Sequence, residues 1–282
     1  MKPVSRTAYY CCAVRALDAA SPTPICGDQY AARFMTPDAW AQFEPFRALA
    51  APNASNVARA RIIDDLLRAT LRSRPDAGVV IIGAGFDTRA FRLPGGRWVE
   101  LDEPALIALK EAELPAHSAA NPLTRVAIEF DREPIETALA PFRHLPSPVV
   151  VLEGVLTYLS AAEVRALLHA IRTTFTDPTM ICDLRTPAFN RRYGGKIGKL
   201  LQDLGAPYGR LGDAEEVGLI EAAGFRLTLR QSVVGRAAEL GLLRIPRWLL
   251  STLLRTLRDG YTIGVFEAAP PVLAPAGESA LA

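Results

Sequence analysis

Cysteine is scarce in this 282-residue chain, and its four copies never take the C-x-x-C spacing: Cys11 and Cys12 are adjacent, while Cys26 and Cys182 stand alone. That usage specifies neither a metal site nor a disulfide framework and fits a reducing, cytoplasmic setting. No stretch supplies the roughly 18 uninterrupted apolar residues of a membrane span. Even residues 241–257, the most apolar late segment, are broken by Arg244, Pro246, Arg247 and Arg255. The opening residues place no apolar run behind Lys2, so no secretory signal is expected. An excess of one charge is also missing: 32 Lys+Arg face 30 Asp+Glu, which withholds the overall field of a dedicated nucleic-acid binder. Lysine is rare, four of the 32 basic residues, a bias of composition that carries no function. Repeats of solenoid period are absent. The Ala/Pro-rich stretch at residues 269–282 reads as a flexible tail.

What is present is ordinary globular composition, 50% hydrophobic and 22% charged, enough for one large domain or two small ones. Residues 1–75 hold no strand and read as a helical cap; Ile62, Ile63, Leu66, Leu67 and Leu71 lie at helical spacing within residues 55–72. From Gly78 onward short apolar runs alternate with helical segments, at 79–82, 98–101, 126–128, 149–152 and 180–182. Continuous apolar strands separated by helices predict a parallel sheet covered on both faces. Two more strands, at 225–231 and 261–267, complete a seven-stranded doubly wound α/β core over residues 76–268, the last two forming an antiparallel pair. Ser160 with Glu163 predicts a capping box, Asp213 with Glu216 a second, and Gly224 a helix stop. Residues 185–212 and 233–260 exceed what connections need and are read as insertions that set specificity.

Four strand ends carry the chemistry. Gly83-Ala84-Gly85 follows the first strand, where paired glycines let backbone approach a nucleotide-like ligand. A dinucleotide fingerprint would place a third glycine where Thr88 stands, which counts against NAD. Asp102 ends the second strand, positioned either to accept ribose hydroxyls or to cap the helix that Pro104 opens. Phe130-Asp131 ends the third, and Glu153-Gly154 the fourth. Ligands of open α/β sheets bind outside these carboxyl ends, so the coincidence outweighs any single member.

Residues 83–93 (GAGFDTRAFRL), Glu100-Leu101-Asp102-x-Pro104 and residues 153–159 (EGVLTYL) resemble the leucine carboxyl methyltransferase family. Ser5-x-Thr7-Ala8, Arg15-Ala16 and residues 59–65 extend the resemblance, which spans about residues 5–268. It implies a class I methyltransferase (Rossmann-like) fold and S-adenosyl-L-methionine as cofactor. Carried over residue by residue, it implies that Gly83 and Gly85, with Ala84 between, form the floor under the methionine part. Arg59 or Arg61 pairs with the cofactor's carboxylate, helped by Arg15. Asp102 takes the ribose, Phe130 and Asp131 the adenine, and Glu153 with Gly154 the amino-group side.

An ionised carboxylate acceptor needs no general base, whereas a hydroxyl acceptor wants one. The three histidines, His117, His144 and His169, read as structural, which favours a small-molecule carboxylic acid over a hydroxyl or nitrogen acceptor. Arg185, leaving the fifth strand, and Tyr158 are the acceptor-pocket candidates; Arg191, Arg192 and Arg210 read as surface. Tyr9, Tyr10, Phe34 and Trp40 read as packing, as does the basic amphipathic segment 245–257. A nicotinamide oxidoreductase and a non-catalytic cofactor-binding module are the alternatives of another class. Acceptor identity and oligomeric state are not legible.

Overall fold

A computed structural model describes residues 2–211 and 215–269. Three helices come first, α1 (Pro3–Ala19), α2 (Pro37–Arg47) and α3 (Ala50–Ser73). Then follow β1 (Gly78–Ile82), α4 (Arg89–Arg92), β2 (Arg97–Asp102), α5 (Pro104–Glu113), β3 (Leu123–Ala127), α6 (Ile135–Leu139), β4 (Val149–Leu152), α7 (Ala161–Thr174) and β5 (Thr179–Arg185). The chain continues through α8 (Pro187–Tyr193), α9 (Gly195–Asp203), α10 (Glu216–Ala222), β6 (Phe225–Ser232), α11 (Val233–Glu239), α12 (Arg247–Ser251), α13 (Arg255–Asp259) and β7 (Tyr261–Ala268).

The seven strands form one sheet in the order β3-β2-β1-β4-β5-β7-β6. All neighbours are parallel except β7, which runs antiparallel to both β5 and β6. This is the class I methyltransferase arrangement that the resemblance implies. Every residue of β1 and β4 is buried, as expected for strands packed on both faces. Alternate side chains serve opposite layers: Val80, Ile82, Val150 and Leu152 meet Val164, Leu168 and Ile171 of α7, while Val79, Ile81, Val149 and Val151 meet Ile62, Ile63 and Leu67 of α3. The expected capping box opens α7: the Ser160 hydroxyl accepts from the Glu163 N–H at 3.3 Å, and the Glu163 carboxylate accepts from the Ser160 N–H at 2.7 Å.

Two expectations shift. The third strand begins at Leu123 instead of Val126, because an edge strand can carry Thr124 and Arg125 in its ladder, and it ends at Ala127. Phe130 and Asp131 therefore lie beyond the strand rather than at its last residue. Asp213 is outside the described residues, and so are residues 270–282 of the expected tail. Glu216 is itself the first residue of α10 instead of lying a turn inside it, and its carboxylate accepts from the Arg185 N–H at 2.6 Å, pinning α10 to the end of β5.

Two buried acids yield predictions. Glu100, fully buried on β2, accepts from Lys110 Nζ of α5 at 2.6 Å and from Arg125 Nε of β3 at 3.0 Å. Arg125 keeps Glu111 at 2.6 Å, but Glu100→Gln leaves the fully buried Lys110 ammonium without its carboxylate and is expected to cost about 3 kcal/mol or more in urea denaturation. Burial raises the Glu216 carboxyl to about 8, against the pull of the Arg185 N–H. A raised folded-state value means stability that is full below the unfolded value of 4.5 and is lost as pH climbs through about 8. Relative to Glu216→Gln, which keeps an acceptor for Arg185, the native chain should lose stability between pH 5 and 8 and run parallel to it above. Denaturation midpoints across that range check this.

Candidate functional site

A cavity of about 770 Å³ lies at the carboxyl ends of β1, β2 and β4, walled by α1 and α3 on one side and by residues of the 185–212 and 233–260 segments on the other. Its floor is the turn after β1. Gly83 and Gly85 hold φ of +69° and +49°, and an added Cβ would come within 2.8 Å of Val155 Cγ2 or 3.3 Å of Ala8 Cβ, respectively. Glycine satisfies both the left-handed backbone and the close approach, and Ala84 between them also faces the cavity.

Asp102 reaches this floor from β2. Its two oxygens accept from the N–H groups of Gly85 (2.6 Å) and Glu103 (2.7 Å). Burial pushes its carboxyl up while those N–H groups pull it down. The helix-cap alternative does not hold, because Glu103 occupies the N-cap position of α5. Phe130, 39% exposed, and Asp131 sit at the cavity rim. Asp131 is ion-paired to Lys2, which also holds Glu103 at 2.9 Å and so fastens the start of α1 across this rim.

Glu153 is bound more tightly than sequence reasoning foresees. It pairs with Arg59 Nε at 2.9 Å and with Arg89 Nη1 at 2.8 Å. Burial alone would raise its carboxyl, but Arg89, Arg59 and Arg15 hold it down at about 2. Arg89 in turn pairs with Asp87 and, at 2.6 Å, with Asp64 of α3. Arg92 meets Asp64 at 2.7 Å. Arg89 stands in the quoted motif, but nothing local to it signals that it turns inward.

Helix α3 turns the two candidate arginines to different sides. Two residues apart on a helix point to nearly opposite sides. Arg59 is buried and lines the cavity, while Arg61 faces outward, pairing with Asp65 at 2.8 Å and donating to the Ile25 carbonyl. Beyond Glu153, Arg59 donates from Nη1 to the Tyr261 hydroxyl at 3.1 Å, and its Nη2 meets the Cys11 sulfur, a weak acceptor, at 3.4 Å. Arg15 also borders the cavity, held by Asp28 at 2.9 Å and by the Phe86 carbonyl at 2.7 Å. Gly154, at φ +69°, donates its N–H to Asp183 Oδ1 at 2.6 Å.

Across the Tyr261 hydroxyl from Arg59, the cavity is lined by Arg185 and Tyr158. Arg185 donates to the hydroxyls of Tyr208 (3.2 Å), Thr157 and Tyr261 (both 3.4 Å) and stacks on the Tyr261 ring at 4.7 Å. Burial raises the Tyr158 phenol, so it stays protonated as a donor. Arg210, read as surface, borders the cavity, paired with Glu163 at 3.0 Å. Apolar Phe189, Ile197, Leu201, Leu243, Ile245 and Leu257 finish this part. Within the segment 245–257, read as packing, the side chains divide: Leu250 is buried, while Trp248 and Leu253 are exposed. His117, His144 and His169 are exposed and do not line the cavity. Of the leader aromatics, Tyr10 borders it; Tyr9 and Phe34 pack on Phe86, and Trp40 packs on Phe43.

Comparison with known proteins agrees with this architecture. A crystal structure of a DUF574 family protein from Streptomyces avermitilis superimposes with a TM-score of 0.59, at 14% identity over 92% of this chain and 97% of that one, a likeness of fold. A Parafrankia protein, named provisionally as an S-adenosyl-L-methionine-dependent methyltransferase, is 38% identical over 41% of this chain and 39% of its own length. A Mycobacteroides abscessus protein with the same designation is 32% identical over 60% of this chain and 62% of its own. The chain thus spans from about two fifths to just over three fifths of these relatives. The sequence model of the leucine carboxyl methyltransferase family matches residues 8–172. That match covers the glycine turn, Asp102, Glu153 and the arginines behind them, well over half of the sequence, and the chain belongs to the leucine carboxyl methyltransferase family.

Proposed function

We propose that the chain is an S-adenosyl-L-methionine-dependent O-methyltransferase that esterifies a carboxylate of a small-molecule, secondary metabolite. The observation that carries this reading is one cavity with two differently equipped parts that meet at Tyr261. Gly83, Gly85, Asp102, Glu153 and Arg59 stand in one, and in the other stands Arg185, whose nearest carboxylate is Asp183 at 3.6 Å. Arg15, Arg59, Arg89 and Arg92 each have a carboxylate within 2.9 Å. Among the described residues lining the cavity, the partly buried Arg185 is the cation whose carboxylate lies farthest off, which leaves it charge to spare for an acid.

The residues of the first part fit the cofactor. The glycine floor presents bare backbone to the cavity, where an added side chain would press on Val155 or Ala8. Each Asp102 oxygen keeps lone pairs beyond its backbone bond, suited to the ribose hydroxyls. Arg59 Nη2, met among the described residues by the Cys11 sulfur, suits the carboxylate, with Arg15 behind it. Ionised Glu153 and the Gly154 turn suit the amino group, and the Phe130 face with Asp131 suits the adenine. Bound there, the cofactor supplies a methyl group activated on a sulfonium.

The chain's own task is then placement. Arg185 and the Tyr158 and Tyr208 hydroxyls hold the acceptor's oxygens in line, and apolar Ile197 and Leu201 exclude water. The acceptor carboxylate is already ionised at neutral pH and asks for no base. No histidine lines the cavity, and burial raises the Tyr158 phenol, which disfavours it as a base. These facts support an acid over an alcohol.

Two measurements test the reading. Calorimetric titration should show S-adenosylhomocysteine binding, no NAD binding, and at least about tenfold weaker S-adenosylhomocysteine binding in a folded Asp102→Ala variant, the loss of charge-assisted bonds to two hydroxyls. Binding of NAD alone would reassign the cavity to a dehydrogenase. In a panel with labelled cofactor, carboxylic acids should yield methyl esters while their matched primary amides and alcohols stay unlabelled; labelled ethers with no esters would overturn the acceptor class.

A further inference from the structure

Tyr261 opens β7 and, through the antiparallel register, stands opposite Arg185 at the end of β5. Its hydroxyl accepts from Arg59 Nη1 at 3.1 Å and from Arg185 Nη2 at 3.4 Å, and donates to Asp183 Oδ2 at 3.4 Å. Asp183 Oδ2 in turn lies 3.6 Å from Arg59 and 3.6 Å from Arg185. Two guanidinium groups thus share one phenol hydroxyl and one carboxylate oxygen, with both sharing residues about 5% exposed. The second Asp183 oxygen is fixed by the Gly154 N–H, which limits the carboxylate to small movements between the two cations.

We infer that Tyr261 and Asp183 are positioning residues that couple the two parts of the cavity. The inference rests on the proposed function, which puts a cofactor carboxylate at Arg59 and an acceptor carboxylate at Arg185. A separation of 3.6 Å from both arginines is a compromise, longer than the direct ion pairs elsewhere in the cluster. An anion arriving at Arg59 weakens that arginine's pull on the shared oxygen and hydroxyl, and both settle toward Arg185. The charge and orientation that Arg185 offers an acceptor then change with occupancy of the other part. Linkage makes the effect reciprocal, so altering Arg185 must alter binding at Arg59. Little water intervenes at this depth to screen the exchange.

The test is a double-mutant cycle read by calorimetric affinity for S-adenosylhomocysteine, which needs no acceptor. Arg185→Met should change that affinity at least about threefold when Tyr261 is present and leave it nearly unchanged in the Tyr261→Phe background, the non-additivity of coupled residues. Should Arg185→Met fail to fold, Arg185→Lys, which keeps the charge and loses the fork of donors, is read in the same way. A merely structural role for Tyr261 predicts equal effects in both backgrounds, and that result overturns the inference, as does no effect with Tyr261 present. Failure of the unmodified chain to bind S-adenosylhomocysteine overturns the cofactor reading itself, and this inference with it.

Discussion

The structure depends on a buried lattice of arginines and carboxylates at the carboxyl edge of the sheet. Arg15 with Asp28, Arg59 and Arg89 with Glu153, and Arg89 and Arg92 with Asp64 lock the leader, α3, α4 and the end of β4 to one another. Taking so many ions out of water gains little net stability, since desolvation offsets most of the attraction. What the lattice supplies is geometry: each member is held by partners from another segment, so the cavity wall is a set of fixed charges instead of mobile side chains. Glu153 is its hub, and its ionised state follows from the cations around it.

That hub changes how the strand-end carboxylates are understood. Asp102 accepts from backbone and keeps lone pairs toward the cavity, whereas Glu153 already satisfies two guanidinium groups. The first keeps acceptor capacity on the cavity side, while the second holds Arg59 and Arg89 in place. The apolar faces of β1 and β4 beneath them make the whole edge rigid, because both strands are buried on each side.

How much of this was legible in the sequence follows from the range of each interaction. The alternation of apolar runs and helices, the Ser160–Glu163 box, the glycine turn and Asp102 are local patterns, and the structure places them where the pattern implies. Register was harder: β3 is an edge strand whose Arg125 belongs to a buried cluster with Glu100, so its apolar cue began three residues late. Arg59 and Arg61 are indistinguishable in a string of letters, and the packing of α3 separates them. Arg89 lay inside a recognised motif without drawing notice, since its partners Asp64 and Glu153 are remote in sequence. Asp183 and Tyr261 are farther apart still, joined by the antiparallel register of two strands. No local signal marks such a pair.

The placement of the two long segments has an evolutionary consequence. Residues 185–212 leave from the end of β5 and residues 233–260 return into the start of β7, so both hang from adjacent ends of one strand pair. Val233 and Ala237 of α11 belong to the core that covers the sheet, whereas α8, α9, α12 and α13 lie outside the glycine turn and the arginine lattice. Lineages can therefore rewrite α8, α9, α12 and α13, in length as well as in side chains, and present a changed cavity lining to an unaltered frame. Diversity within such a family is expected to accumulate in these two loops of helices, with the strand ends that carry them acting as a fixed socket.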